Sequence, residues 1–208
     1  MRVVARNLGM KFGKHWLHRH LDFELKAPGN YAIIGPNASG KSTLLKMVSG
    51  FMEPTEGEVE HSNDQGPIDQ LQWFRHLSIA SPYLELELLF SLREYLDLHH
   101  QLKAFSGQYD VEELASEFGL HSALDKRLSE FSSGMMQRLR IGLALAADTE
   151  LVLLDEPLSN LDEAGQAWYR EYLQRRMGKR LIIVFSNARE EEYFFCDTRL
   201  RIDQLNSK

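Results

Sequence analysis

The sequence has little of what marks secreted, disulfide-linked or membrane-spanning proteins. It contains one cysteine, Cys196, in 208 residues, so that neither an internal disulfide nor a cysteine-rich metal site can form. No apolar run approaches the roughly 18 residues that cross a bilayer, and the densest stretch, residues 84–92, carries Glu85 and Glu87. The N-terminus contains no apolar segment of signal-peptide length. We therefore expect a cytoplasmic protein that reaches a membrane only through a partner.

Basic residues are not in excess either. The 24 Lys and Arg residues are outnumbered by 30 Asp and Glu residues, which gives a formal net charge of −6. Proteins that grip nucleic acid are usually basic, so we expect no nucleic-acid partner. The length suits one domain, or one core with a subdomain, and the apolar content of 43% is ordinary for a globular chain.

The sequence does contain a glycine-rich loop with the pattern G-x-x-x-x-G-K-[ST]. The loop comprises Gly35, Pro36, Asn37, Ala38, Ser39, Gly40, Lys41, Ser42 and Thr43. Its glycines permit backbone angles that let successive N–H groups point at phosphate oxygens. Lys41 supplies a charge for the β- and γ-phosphates, and the Ser42 hydroxyl is a suitable ligand for Mg²⁺. A helix that begins near Lys41 would also direct the positive end of its dipole at the anion, so the loop predicts a nucleoside-triphosphate site.

The hydrophobic periodicity around this loop predicts an α/β fold. Residues 31–34 are expected to form a short buried strand before the loop, and residues 42–48 a helix after it. Alternation of apolar and polar residues over 21–26 predicts a half-buried strand. Apolar runs at 151–154 and 181–185 are typical of parallel strands that are buried on both faces. We predict a P-loop core with a mostly parallel sheet, an antiparallel β portion near the N-terminus and a helical insertion.

Composition shifts along the chain predict its internal organisation. We expect a single domain over residues 1–208, with its core at about 1–82 and 136–208 and a helical subdomain at about 83–135. Residues 61–69 are polar and contain Gly66 and Pro67, which predicts a loop.

The run from Leu151 to Glu156 places two carboxylates directly after a predicted buried strand. Ligands of open α/β sheets bind at the carboxyl ends of the strands, so both acids are expected at that edge. Asp155 can then hold the Mg²⁺ shell, and Glu156 can orient or deprotonate an attacking water.

A third motif, residues 131–138, lies between the first two and is predicted to open a helix that runs through Ala147. With these motifs in order, the chain resembles the ATP-binding cassette (ABC) ATPases over nearly its whole length. Residues 35–43 match their Walker A motif and residues 151–156 their Walker B motif. Residues 131–135 stand where their signature belongs, and residues 159–162 resemble their D-loop.

The resemblance implies an ABC ATPase-like fold and a shared catalytic site. Two cassettes would pack head to tail, so that Ser132 and Gly134 of one protomer contact the γ-phosphate of ATP bound by Lys41 of the other. A homodimer and a mixed dimer are equally compatible with one set of motifs. Phe12 stands at about the place of the family's adenine-stacking aromatic residue, although in isolation it is predicted to be a core residue.

Four positions depart from the family pattern. Ser133 and Met135 replace a glycine and a glutamine of the signature and are a mild variation, whereas two further departures matter more. Ser81 and Asn187 stand where the family usually has a glutamine and a histidine. A serine is too short to reach Mg²⁺ or the attacking water directly, and an asparagine cannot become cationic. We expect ATP binding and dimer closure to survive while hydrolysis is slow or depends on a partner. The alternative is a shift of the alignment by a residue or two, with Gln70 or Gln72 as a local substitute.

Several charged side chains invite other interpretations. His15, His18 and His20 are expected on a surface hairpin, as solvated residues rather than metal ligands. The basic cluster at 175–180 is explained by the favourable interaction of cations with the C-terminus of a helix. The alternative is a surface that contacts anionic lipid.

The leading interpretation is the ATP-binding and hydrolysing subunit of an ABC transporter, with ATP and Mg²⁺ as cofactors. It would drive a separate integral membrane subunit that docks near residues 81–90. One alternative is a weakly hydrolysing partner in a mixed cassette pair, favoured by Ser81 and Asn187. The other is an ABC ATPase outside transport, but such proteins usually carry two cassettes or a long coiled-coil insertion, which this sequence lacks.

Overall fold

The computed structural model describes residues 1–205, which form two compact units. The first unit contains residues 1–77, 150–156 and those from 179 onward, and the second contains Ser78–Thr149 and Pro157–Gly178. The predicted subdomain boundaries, about 83 and 135, stay a prediction. Along the part of the chain described, no helix combines the length and apolar character needed to cross a membrane.

Strands and helices follow the periodicity of the sequence. The strands are β1 (Arg2–Phe12), β2 (His15–Lys26), β3 (Gly29–Ile34), β4 (Glu56–Asn63), β5 (Gly66–Pro67), β6 (Leu77–Ala80), β7 (Leu151–Asp155), β8 (Leu181–Ser186) and β9 (Thr198–Arg201). The helices are α1 (Lys41–Val48), α2 (Leu92–Leu102), α3 (Val111–Glu117), α4 (Ser133–Ala146) and α5 (Glu163–Arg176).

A parallel sheet forms the centre of the first unit. Strands β7, β8, β3 and β9 lie side by side in that order and all run in the same direction. Every residue of β7 and β8 is buried, as their unbroken apolar runs predict. Because the strands are parallel, their carboxyl ends meet at one edge of the sheet. This edge carries the glycine-rich loop of residues 35–43, called the phosphate loop below, and the carboxylates of Asp155 and Glu156.

The antiparallel sheet, in the order β2-β1-β4-β5, confirms the predicted antiparallel portion and corrects one prediction. Residues 61–69 are not a loop throughout, because His61–Asn63 complete β4 and Gly66–Pro67 return as β5. The ring of His61 stacks on Trp73 with centroids 3.6 Å apart, and its Nε2–H donates to the Val48 carbonyl at 2.8 Å. These contacts hold a polar segment in the extended conformation that its composition alone does not predict.

Strands β1 and β2 are paired through β-bulges. The register shifts between Ala5 and Leu8, again between Leu8 and Met10, and again between Met10 and Lys11. The first shift adds a residue to β1 and the other two add residues to β2. Asn7 and His20 both adopt positive φ, 47° and 55°, and the His20 Nδ1–H donates to Asn7 Oδ1 at 2.6 Å. Each extra residue turns the following side chains to the opposite face of the sheet.

The second unit is mainly helical. Ser91 begins α2 with a capping box, and Ser132 and Asp162 cap α4 and α5 through their side chains. Gly142 of α4 lies against Phe118, whose ring would be 2.7 Å from an added Cβ. In the basic cluster at the end of α5, Arg176 forms an ion pair with Glu117. The charge of Arg176 therefore has a partner within the fold.

Candidate functional site

The phosphate loop connects β3 to α1 in the first unit. The Gly35 N–H donates to the Ser186 carbonyl at 3.1 Å, which fixes the start of the loop to the end of β8. Ala38 and Gly40 have φ angles of 62° and 90°, so the backbone reverses just before the helix. The first turn of α1 contains no acidic residue. The free N–H groups at this helix end therefore face no competing carboxylate of their own turn.

Lys41 is buried, with 5% of its side chain exposed. Its Nζ donates to the carbonyl oxygens of Gly35 and Pro36 at 2.9 and 3.0 Å, and lies 4.0 Å from Oε1 of Glu156. A buried ammonium requires such partners. The loop carbonyls and Glu156 thus hold the cation at the carboxyl edge of the sheet.

The two carboxylates after Leu154 reach the same edge. Oδ2 of Asp155 accepts a hydrogen bond from the Ser42 hydroxyl at 3.4 Å, and Asp155 is 2% exposed. The backbone N–H of Glu156 donates to the Phe185 carbonyl at 2.9 Å. Glu156 adopts a φ of 43°, an uncommon conformation for a side chain of its size, of the kind that concentrates at functional sites.

Ser42 and Asp155 form the donor pair that could hold a divalent cation. Both offer hard oxygen atoms, and they stand close together beside the phosphate loop. This donor set suits Mg²⁺, which usually takes one or two protein oxygens together with phosphate and water. Within residues 1–205 no group of three or more His, Cys, Asp and Glu side chains is placed to hold a metal ion by itself.

A buried polar atom also lies inside the loop. The Ser39 hydroxyl is shielded from solvent and has no hydrogen-bond partner among the described residues. It lies against Gly35, where an added Cβ would be 2.7 Å from Ser39 Oγ. A buried hydroxyl without a partner is unfavourable, and a phosphate oxygen entering the loop is one group that could satisfy it.

His18 contacts Gly40, the last glycine of the loop. The prediction that His18 is exposed to solvent is wrong. Its side chain is 5% exposed, and its Nε2 lies 3.0 Å from the Gly40 carbonyl oxygen. Burial lowers the pKa of this imidazole below its ordinary value. The prediction failed because one extra residue in β2, between Leu21 and His18, turns His18 to the buried face. His15 and His20 are exposed, as predicted.

Asn187 follows β8 at the same edge of the sheet. Its Oδ1 is buried and has no hydrogen-bond partner within the described part of the chain. The preceding residue, Ser186, is fully buried and donates its hydroxyl hydrogen to Glu192, itself 1% exposed. Nothing in the sequence pattern singled out Glu192, because three consecutive glutamates at 190–192 resemble a solvated turn.

The remaining candidate residues of the catalytic set belong to the second unit. The Ser132 hydroxyl accepts a hydrogen bond from the Met135 N–H at 3.2 Å. An added Cβ on Gly134 would lie 3.1 Å from the Asn160 carbonyl oxygen, so this glycine packs closely on the loop before α5. Ser81 is 7% exposed, and its hydroxyl accepts from the Tyr83 N–H at 3.3 Å.

Phe12 lies at the end of β1, opposite His15 across the hairpin. Its side chain is 52% exposed, so the alternative interpretation as a core residue is wrong, and its role in stacking on adenine stays a prediction. An exposed aromatic ring is free to stack on a ligand.

Comparisons with known proteins identify the family. The family model described as ABC transporter matches residues 18–159, more than half of the chain. YybJ, an ABC transporter ATP-binding protein of Bacillus subtilis, is 28% identical over 97% of this chain and 92% of its own. Nod factor export ATP-binding protein I of Burkholderia lata is 27% identical over 97% of this chain and 68% of its own.

Solved structures agree at the level of the fold. A structure titled as the ATP-binding subunit of an ABC transporter has a TM-score of 0.82 at 23% identity, covering 97% of this chain and 85% of that chain. The dimeric structure of MJ0796, a bacterial ABC transporter cassette, has a TM-score of 0.79 at 19% identity, covering 96% of this chain and 94% of that chain. The resemblance inferred from the motifs is confirmed, and the chain belongs to the ABC transporter family as one of its ATP-binding subunits.

Proposed function

We propose that this subunit binds MgATP at the carboxyl edge of the parallel sheet and uses it to drive a separate membrane subunit. One observation carries the proposal. The Lys41 ammonium lies 4.0 Å from the Glu156 carboxylate, and Ser42 and Asp155 meet beside them at 3.4 Å. Lys41 can thus bind phosphate, Ser42 and Asp155 can bind Mg²⁺, and Glu156 can orient water, all beside the same loop.

Each residue of the loop has a defined task in this proposal. The residues 35–43 cradle the phosphates through their backbone N–H groups. Lys41 exchanges its two carbonyl acceptors for phosphate oxygens, because a charged acceptor forms the stronger hydrogen bond. Ser42 and Asp155 hold Mg²⁺, which when bound neutralises charge on the phosphates. Glu156 orients the attacking water, and Phe12 stacks on the base.

A second protomer completes the site. In the family arrangement, Ser132 and Gly134 of one cassette face the ATP that the other cassette binds. In this chain Ser132 caps α4 through its side chain and Gly134 packs against Asn160, which supports a rigid contact element. We propose that ATP promotes a head-to-tail dimer, with a second copy or a related chain as the partner.

Hydrolysis is proposed to be slow or to depend on a partner. Ser81 is short and lies folded against its own turn, where it accepts from Tyr83 N–H. Asn187 offers an amide in place of an imidazole, so it can share a hydrogen bond but carries no positive charge. Loss of one such contact with the transition state typically lowers turnover by about 10²–10³-fold. This same observation favours a second candidate function, a nucleotide-binding subunit that pairs with a more active cassette.

The membrane subunit is proposed to dock on the segment of residues 81–90 in the second unit, at the cytoplasmic face of the membrane. Tyr83 and Leu89 are 74% and 73% exposed there, and Leu88 is 46% exposed. The segment has no regular secondary structure, yet Arg140 Nε–H donates to the Leu84 carbonyl at 3.0 Å and positions it. Exposed apolar residues on a fixed backbone are typical of a docking surface.

The test measures MgATP binding and steady-state turnover of the purified subunit, with Lys41→Ala as the inactive control. We expect wild-type binding in the micromolar range, no detectable binding by Lys41→Ala, and turnover well below one per second. Size-exclusion chromatography with and without ATP reports the dimer. Folded wild-type protein that binds no nucleotide would refute the proposed function, and rapid turnover by the subunit alone would refute slow hydrolysis.

A further inference from the structure

We infer that His18 is a positioning residue for nucleotide phosphate, acting through the peptide unit that joins Gly40 to Lys41. This inference deepens the proposed function and rests on it. The observation behind it is the buried contact between His18 Nε2 and the Gly40 carbonyl oxygen at 3.0 Å. Both residues belong to the first compact unit.

The direction of this hydrogen bond follows from the chemistry of its atoms. A carbonyl oxygen can only accept, so Nε2 of His18 carries the hydrogen and donates it. The Gly40 carbonyl also accepts the first helical hydrogen bond of α1, from the Leu44 N–H at 2.9 Å. Two donors from different elements therefore hold this one oxygen.

Fixing the carbonyl also fixes an amide. The peptide unit is planar and trans, so the Gly40 C=O and the Lys41 N–H point in opposite directions. The Lys41 N–H is the first N–H of α1 and has no acceptor within the helix. His18 thus sets the direction of an N–H group that the loop offers to phosphate, although it need not touch phosphate itself.

The backbone conformation of Gly40 depends on this contact, because the start of α1 lacks the side-chain cap that α2, α4 and α5 have. Gly40 is the N-cap residue of α1, has φ 90° and provides no side-chain cap. Because no side chain caps the helix at this position, the geometry of Gly40 depends on neighbours in other elements. Strand β2 provides them, since both His18 Nε2 and Leu17 Cδ2 would lie within 3 Å of a Cβ at Gly40, at 2.3 and 2.9 Å.

The test compares His18→Met with His18→Gln, two side chains of similar size of which only Gln can donate a hydrogen bond. His15→Met serves as control, because His15 is an exposed histidine of the same strand. Affinities are measured for MgATP and for inorganic tripolyphosphate, which has phosphates but neither base nor ribose. Thermal unfolding without ligand is measured for each variant.

We expect His18→Met to weaken binding of both ligands about three- to tenfold, the range of one lost hydrogen bond. His18→Gln should stay within about twofold of wild type, as should His15→Met. The inference is overturned if His18→Met binds like wild type, if Gln weakens binding as much as Met, or if ATP alone is affected. Failure of the proposed function is distinguishable, because the wild-type protein would then bind neither ligand.

A second measurement needs no variant. Nitrogen-15 NMR of the imidazole reports which ring nitrogen carries the hydrogen at neutral pH. We expect His18 in the Nε2–H tautomer, as donation to the Gly40 carbonyl requires. An Nδ1–H tautomer would overturn the inference even if His18→Met failed to fold.

Discussion

The ammonium nitrogen of Lys41 lies 4.0 Å from a carboxylate oxygen of Glu156, and the same nitrogen donates to the carbonyls of Gly35 and Pro36. Lys41 therefore has acceptors besides Glu156. Removing the charge of Glu156 should leave the cation held in the loop.

Glu156→Gln should therefore keep the fold and separate binding from turnover. With one negative charge fewer beside the phosphates, we expect MgATP affinity to stay level or rise a few-fold, while turnover falls at least about 100-fold. Glu150→Gln is the control, since Glu150 stands at the start of β7 and pairs with His76. Calorimetry and a phosphate-release assay measure the two quantities. Equal loss of affinity and turnover would contradict this division of roles.

Asn187→His should accelerate hydrolysis. It restores a group that can share charge with the γ-phosphate, at the carboxyl edge where Ser186 O already contacts the loop. We expect an increase of about tenfold or more in steady-state turnover, with little change in affinity. Asn187→Gln changes size without adding a cationic group and serves as control. If both variants turn over alike, the missing histidine does not limit the rate.

Gly40→Ala should abolish nucleotide binding. Its φ of 90° disfavours any side chain, and an added Cβ would lie 2.3 Å from His18 Nε2. Gly107→Ala is the matched control, because Gly107 has φ 89° and no atom within 4 Å of an added Cβ. We expect the control to lose about 1 kcal/mol of stability in denaturant unfolding and to bind ATP normally. Equal behaviour of the two variants would show that backbone strain alone matters at Gly40.

Acid should weaken the fold through His99. Burial, followed by the nearby Lys103 charge, lowers the pKa of His99 from 6.5 to about 4. Well above pH 6.5 this imidazole is neutral in both states, so it does not change stability with pH there. As the pH falls from 6.5 towards 4, the unfolded chain takes up the proton first, and the free energy of unfolding decreases.

The measurement is the slope of unfolding free energy against pH between 6.5 and 4. We expect His99→Gln to reduce that slope by up to about 1.4 kcal/mol per pH unit, the value of one proton. His15→Gln makes the same substitution at an exposed site and controls for the loss of a histidine outside the core. A His99→Gln slope equal to that of wild type would contradict the assignment.

The sequence predicted the elements whose signal is local. The phosphate loop, the buried runs of β7 and β8 and the acids at 155 and 156 were all found, because glycine spacing and apolar run length need no knowledge of distant residues. The family resemblance was also predicted, and the comparisons confirm it. The roles of Phe12, Ser81, Ser132, Gly134 and Asn187 stay predictions.

The failures all depend on contacts between distant segments. His18 was expected in solvent because it was assigned to a surface hairpin, and no local pattern reveals the extra residue of β2 between His18 and Leu21. Residues 61–63 were expected in a loop because their polarity hides their pairing with β1 and the stacking of His61 on Trp73. The alternative interpretation of Phe12 in isolation, as a core residue, is wrong because apolar character says nothing about its position at the end of a hairpin.

Because the β1–β2 hairpin contains bulges, the number of residues in each strand determines which side chains face the phosphate loop. One extra residue in β1 and two in β2 leave a net offset of one between the strands. If the residues between Leu21 and His18 paired regularly, without the bulge, His18 would face the opposite side of the sheet, away from Gly40, without altering any residue of the phosphate loop. Cassettes whose hairpins differ in length by one residue could thus share the same loop sequence and still differ in how firmly they hold it.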